Sequence, residues 1–344
     1  MPRRHDVRTL DASPYCIDEA TYRRFDPRNT IFGRRHWDRD APFYGRDVHD
    51  RAGERMAEQE GCADAGYSRV EFARARAAWT VADHFAGAYG WERLGEPEEA
   101  LADMQPEVAS ADEMAATVRA TAHAFGADLV GICRVDPRWL YDVTPATVRD
   151  AGRYAKAAVP SGYDHAVVMA VVMDAEAIRT SPGYAAATAT GVGYSRMAFV
   201  ASCLAQFIRN LGYRALPMGN DSALSIPLAI DAGLGQLGRN GLLVTPEFGP
   251  CVRLCKVLTD LPLAPDRPIE FGLWDTCRRC RRCAEACAAG AISTDAEPTL
   301  DVVSRSNNPG ILRWPVHHDR CYMFWVQNGA SCSSCIAACP YTPL

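Results

Sequence analysis

Two arrays of cysteine dominate the chemistry this chain could do. Cys277, Cys280 and Cys283 are each separated by two residues, and Cys287 follows after three more. Cys321 precedes a second group, Cys332, Cys335 and Cys339, with Pro340 directly after the last. The first array has the spacing of bacterial ferredoxins, where three thiolates of a compact loop reach three irons of one cubane and the fourth ligates the neighbouring cluster. Crossing over in that way, Cys277, Cys280, Cys283 and Cys339 would hold one [4Fe–4S] cluster, and Cys287, Cys321, Cys332 and Cys335 the other. Ala288 stands where a proline is usual, which loosens the turn and removes no ligand. One or two structural zinc sites would use the same ligand chemistry, but three cysteines at two-residue gaps fit zinc poorly.

The remaining cysteines are scattered. Cys16 and Cys62 carry no pattern, and Cys133 and Cys203 sit in apolar runs that suit buried packing. Cys251 and Cys255 flank a stretch that reads as a strand, which leaves a redox pair open. Fourteen cysteines grouped mainly in two tight arrays point to metal ligation in a reducing compartment rather than to a disulfide framework.

The elements that position these groups follow from periodicity. Residues 1–108 read as an irregular, partly helical region with an amphipathic stretch near Phe72 to Phe85. Ser110 followed by Glu113 signals a capping box, and the helix it opens stops at Gly126. "DLVGICRV" and "HAVVMAVVM" read as strands. Leu204, Phe207, Ile208 and Leu211 recur at helical spacing, which predicts a helix over 194–211 ended by Gly212. A second helix over 223–232, the glycine-rich "GLGQLGRNG" and a strand at "LLVT" complete a layered α/β or α+β core over 109–270. Residues 271–344 form a small cluster-binding module.

Composition narrows the class. A chain of 344 residues holds one large core or two moderate ones, and 48% hydrophobic with 23% charged residues is ordinary for a globular protein. The net charge of -5 gives no electrostatic footprint for nucleic acid, and the arginines at 278–282 are too local to change that. The opening "MPRRHDVRTLDASPYC" has an arginine pair, but no apolar run of about 7 to 15 residues follows it as an export signal needs. No segment nears the roughly 18 apolar residues of a membrane span. The expectation is a soluble, cytoplasmic enzyme.

Three signatures in order carry a resemblance. "RFDPRNTIFGRRHWD", the central stretch from "GYSRMAFVASCLAQF" through "MGNDSALSIPLAIDAGLGQLGRNG" to "CVRLCKVLTDLPL", and the paired cysteine arrays with "SNNPGILRW" between them resemble the corrinoid-dependent reductive dehalogenases, from about residue 24 onward. The resemblance implies an α+β fold: a nitroreductase-like corrinoid-binding α/β core, with base-off cobalamin and no protein ligand to cobalt, beside a C-terminal ferredoxin-like module of two [4Fe–4S] clusters. It implies cleavage of a carbon–halogen bond by Co(I). The family's proton donor falls on Tyr194, the basic residue that stabilises the tyrosinate on Arg253, and a pocket asparagine on Asn220. A cation beside a tyrosine helps it act as an acid at neutral pH, and a guanidinium keeps its charge in a dry pocket. Ser222, Ser225 and Gly235, in a stretch of small residues that suits close approach to a flat macrocycle, are expected corrinoid neighbours. Packing roles are open for each of these residues.

Two other classes stay open. Epoxyqueuosine reductase shares the core and the cysteines, but usually carries an acid in a triplet that here reads Gly193, Tyr194, Ser195. A non-catalytic two-cluster electron carrier would bind clusters without releasing halide. The exported relatives' leader and the catabolic relatives' appended reductase portion have no counterpart here, so the expected partners are an organohalide substrate and an external ferredoxin or flavodoxin.

Overall fold

The computed structural model describes residues 7–59, 66–85, 101, 104, 108–145, 154–156, 162–220 and 222–343. Its centre is a four-stranded, wholly antiparallel sheet of β1 (Leu129–Arg134), β2 (His165–Val172), β3 (Ala215–Met218) and β4 (Val252–Thr259), in the spatial order β1-β2-β4-β3. β2 is buried along nearly its whole length because both faces of the sheet are covered. That is why it reads as one apolar run rather than an alternation.

One face carries Val167, Met169, Val171, Cys255 and Val257 against two helices, Ala111–Ala124 and the long Tyr184–Asn210. The other carries Ala166, Val168 and Leu258 against the short helix Ser225–Asp231, with Tyr22 and Trp139 of preceding segments. Ser110 and Glu113 form the reciprocal capping box expected of them, and Gly126 sits at φ +101°, where a residue with a side chain is strained.

The long helix begins ten residues earlier than the apolar spacing predicts, at Tyr184. Its first turns are built of alanine, threonine and glycine because neighbouring elements lie directly against it, and such a stretch offers no bulky residues for a periodicity reading to detect. The helices Arg69–Ala77 and Thr80–Phe85 lie in the stretch expected to be amphipathic. The "LLVT" strand shrinks to Leu243–Val244, paired with Gln236–Leu237.

The C-terminal module consists of short helices, Leu273–Arg279, Arg282–Glu285, His318–Asn328 and Ser334–Ala337, in irregular chain. Arg239, from the glycine-rich stretch, is 1% exposed and clamps the module to the core. Its guanidinium donates to the carbonyls of Cys277, Ser293 and Asp295 and lies 4.7 Å from the ring centroid of Trp314. The "RFDPRNTIFGRRHWD" segment fastens the N-terminal side: Arg34, on the helix Ile31–Trp37, is buried and holds Asp38 at 2.8 Å and Asp319 at 2.7 and 3.0 Å. Asp319 lies on the helix that carries Cys321.

Candidate active site

Cys277, Cys280, Cys283 and Cys339 line one cavity, together with Gly238, Arg239, Leu273 and Tyr341. This is the first quartet expected from the spacing. The electrostatics divide the cysteines in the same way. Burial, then Cys277, Cys339 and Cys280, push the Cys283 thiol up to about 12, and burial, then Cys332 and Cys287, push Cys321 up to about 12. Cys335 is raised by burial and then by Cys321 and Cys332, and it also feels Cys283, so the two quartets adjoin. Thiols buried in this way resist ionising alone, whereas a coordinating metal takes the thiolate outright. Among the described residues no three His, Cys, Asp or Glu side chains converge on a point that could hold a single ion; the first four thiols surround a cavity instead. A four-thiolate lining fits a cubane.

Tyr194, Arg253 and Asn220 come together from three elements. Tyr194 projects from the long helix, half-buried, with Trp79 stacked on one side at 4.6 Å between ring centroids and 25° between planes. The Arg253 guanidinium lies 5.0 Å from the Tyr194 ring centroid and donates to Thr190 Oγ1 at 3.2 Å. Close approach depends on two glycines of the helix. A Cβ on Gly191 would meet Trp79 at 2.8 Å, and one on Gly193 would meet Arg253 Cγ at 2.9 Å and Met173 Cγ at 3.3 Å.

The hydroxyl of Tyr194 sits in a directed chain of hydrogen bonds. Asn220 Nδ2 donates to it at 3.2 Å, Ser225 Oγ donates to Asn220 Oδ1 at 3.1 Å, and Lys256 Nζ donates to Ser225 Oγ at 3.0 Å. Lys256 also donates to the carbonyls of Gly219 and Ala223. An ammonium group has three N–H donors and no acceptor, so it fixes the polarity of everything downstream. Ser225 must accept from it and pass its own hydrogen to Asn220 Oδ1. The amide then turns its NH2 to the tyrosine, whose oxygen accepts and whose own proton is left to give.

Lys256 and Trp79 are the residues sequence reasoning missed. Lys256 is fully buried in β4, and a lysine inside the otherwise apolar "CKVLT" was the available signal. Trp79 carried none.

The expected corrinoid neighbours divide. Ser225 belongs to the relay, and Ser222 is buried in the same loop, its carbonyl accepting from Tyr141 N. At Gly235 a Cβ would meet the Val244 carbonyl at 2.3 Å, so packing accounts for its missing side chain. Cys251 and Cys255 are both buried and free, and four residues along a strand separate them by about 13 Å, too far for a disulfide. Cys133 is buried and Cys203 partly so, as their apolar runs suggest; Cys62 lies outside the described residues.

Comparison with known proteins identifies the family. Residues 276–342 match the family model of the 4Fe-4S dicluster domain, and residues 133–263 match that of the reductive dehalogenase subunit. The chain is 36% identical over 290 residues to a tetrachloroethene reductive dehalogenase of Desulfitobacterium hafniense, covering 74% of this chain and 53% of that protein. It thus spans about half the length of the curated relatives it matches. A shorter likeness, 31% over 121 residues (34% of this chain and 29% of that protein), joins it to an epoxyqueuosine reductase of Listeria monocytogenes. A solved reductive dehalogenase, described for B12-dependent dehalogenation, superposes with a TM-score of 0.74 at 23% identity, over 98% of this chain and 44% of that one. No helix among the described residues is long and apolar enough to cross a membrane. With both family signatures in order, the matching fold and the paired cysteine arrays, the chain belongs to the reductive dehalogenase family.

Proposed function

We propose that this chain carries the catalytic core of a corrinoid-dependent reductive dehalogenase, which replaces a halogen on an organic substrate by hydrogen. The observation that carries the reading is the polarised Tyr194 hydroxyl, which accepts from Asn220 beneath the Arg253 guanidinium. The net change is two electrons and one proton added to a carbon–halogen compound, giving the carbon–hydrogen product and halide. A bound corrinoid, base-off and without a protein ligand to cobalt, would supply the strongly reducing centre that cleaves the bond. In our reading it rests in a nitroreductase-like core (109–270), with Ser222 and Ser225 beside it, between an N-terminal region (1–108) and the cluster module (271–344). Gly235, the third expected neighbour, would touch it through backbone alone.

The chain's own residues supply the proton and its control. Tyr194 Oη gives its proton to the carbon that loses halide. Arg253 stabilises the tyrosinate left behind, because a cation over the ring favours the anion. Trp79 and the two glycines hold the ring in place, and Asn220 keeps the hydroxyl hydrogen pointed outward. General acid catalysis of this kind contributes about 10²- to 10⁴-fold. The corrinoid fits here on the chemistry of this donor set, whose Asn220 lies on an exposed loop; the two quartets fit [4Fe–4S] clusters that deliver electrons singly.

The test is anaerobic reconstitution with cobalamin and iron–sulfur clusters, followed by a halide-release screen over haloaromatic and haloalkene substrates. Loss of release in Tyr194→Phe with cobalamin still bound supports the assignment. Failure to bind cobalamin, or full activity in Tyr194→Phe, removes the corrinoid or the proton donor respectively.

A further inference from the structure

The order of the two quartets along the electron path can be read from packing. Cys335 and Ile336 pack with Met173, Ala189 and Cys251, and Met173 also borders Gly193, beside Tyr194. The quartet containing Cys335 therefore lies on the catalytic side. That leaves the quartet of Cys277, Cys280, Cys283 and Cys339 as the outer one, the candidate to receive electrons from outside.

Around that outer quartet the sequence alternates cysteine and arginine. Cys277 lies on the helix Leu273–Arg279, Cys280 caps it, and Cys283 lies on Arg282–Glu285, with all three thiols turned to the cavity. Arg278 is neutralised by Asp275 at 2.8 Å and Glu297 at 2.9 Å. Arg279, Arg281 and Arg282 are exposed and, among the described residues, their side chains make no ion pair or hydrogen bond. Residues 275–285 hold four arginines against two carboxylates, Asp275 and Glu285, in a chain whose net charge is -5. Isolated exposed arginines are ordinary; three unpaired ones within a residue or two of cluster ligands, on an otherwise acidic molecule, are not accounted for by folding.

We propose that Arg279, Arg281 and Arg282 form the docking surface for an acidic electron-carrier protein of the ferredoxin type, which reduces the outer cluster. An acidic carrier is repelled by the molecule as a whole and attracted only at this face, so the patch both speeds encounter and selects the orientation that brings the two redox centres together. The proposal rests on the cluster assignment made above, and its chemistry is a single electron passing from the reduced carrier to the oxidised outer cluster.

The test uses cluster-loaded protein, a strongly acidic bacterial ferredoxin as donor, and stopped-flow bleaching of the cluster absorbance. The triple charge reversal Arg279→Glu, Arg281→Glu, Arg282→Glu should slow reduction by ferredoxin about tenfold or more at low ionic strength, and the difference should shrink as salt rises. Ferredoxin binding by titration calorimetry should weaken in parallel. Reduction by photoreduced deazaflavin, a small uncharged donor, should stay at the wild-type rate, and the triple lysine variant should retain most of the ferredoxin rate. Arg74→Glu, a charge reversal on an exposed arginine outside residues 275–285, should have no effect. Equal ferredoxin rates in wild type and the triple glutamate variant, or a deficit that salt leaves unchanged, would overturn the docking surface alone. Failure to incorporate clusters would overturn it together with the proposed function.

Discussion

Cutting the relay at Ser225 tests whether its polarity matters to catalysis. Ser225→Ala leaves Lys256 anchored on the carbonyls of Gly219 and Ala223, and the Asn220 backbone stays fastened by Tyr141, whose hydroxyl donates to the Asn220 carbonyl at 3.0 Å. What is lost is the donor that holds Oδ1, and with it the preference of the amide for facing Tyr194 with its NH2. A neutral hydrogen bond contributes about 0.5–1.5 kcal/mol net. At about 1.4 kcal/mol per factor of ten, an orientation preference of that size corresponds to a loss of about 2- to 12-fold. Tyr194→Phe removes the donor itself and should cost about 10²- to 10⁴-fold. Residues that act through one proton are not additive, so Ser225→Ala should cost nothing further in the Tyr194→Phe background. Single-turnover halide release from the reduced holoenzyme reads all four corners of the cycle. If the serine substitution costs the same factor with and without the tyrosine hydroxyl, the relay does not act through Tyr194 and the argument fails.

Three further outcomes follow from packing and burial. Arg34→Ala leaves Asp319 without its cation and Asp38, with a 4% exposed side chain, with Arg305 alone at 3.5 Å. Breaking such a pair costs about 3–5 kcal/mol, so denaturant unfolding should show a loss of that order, and a loss below about 1 kcal/mol would exclude a structural role for the N-terminal signature. Gly193→Ala must push Arg253 or Met173 aside; halide release should fall severalfold while cluster content stays unchanged, and wild-type turnover would show that the arginine need not lie over the ring. Burial, then Arg313, depresses the His318 imidazole from 6.5 to about 4, and burial likewise holds His165 and His49 below 6.5. The unfolded chain therefore binds more protons than the folded one in that window, so this stability is fully present above about pH 6.5 and is lost as pH falls toward 4. A melting temperature that is flat or rises between pH 6.5 and 4.5 would contradict the direction.

How much of this was legible in the sequence depended on whether a residue's role is set by its near neighbours. Ser110 and Glu113 lie one turn apart, and their box forms as read. The cluster cysteines are local in spacing too, and Cys277, Cys280, Cys283 and Cys339 line one cavity. The start of the long helix was missed because helical spacing of bulky residues signals a buried stripe, whereas Gly191 and Gly193 are there to let Trp79 and Arg253 come close. Trp79 lies over a hundred residues away from Tyr194 in sequence, and no local pattern could join them. In the glycine-rich stretch, Gly235 and Gly238 lie against Val244 and Arg239 grips the cluster module, contacts that no local pattern announces.

Lys256 shows why the remainder of the site needed the fold. In β4 successive side chains face opposite sides of the sheet, so Arg253 faces the long helix while Lys256 faces the loop before Ser225. Read along the strand they are unrelated cations, one on each side of a sheet. They meet at one tyrosine because β3, the edge strand beside β4, stops at Met218, whose partner in the ladder is Lys256 itself. Beyond that point the chain is free to cross the sheet's edge, and Asn220 does so, taking its orientation from the lysine's side and delivering it to Tyr194 on the arginine's side. A longer edge strand would keep Asn220 in the ladder and out of reach of Tyr194, so the short β3 is itself part of what builds the Tyr194 site.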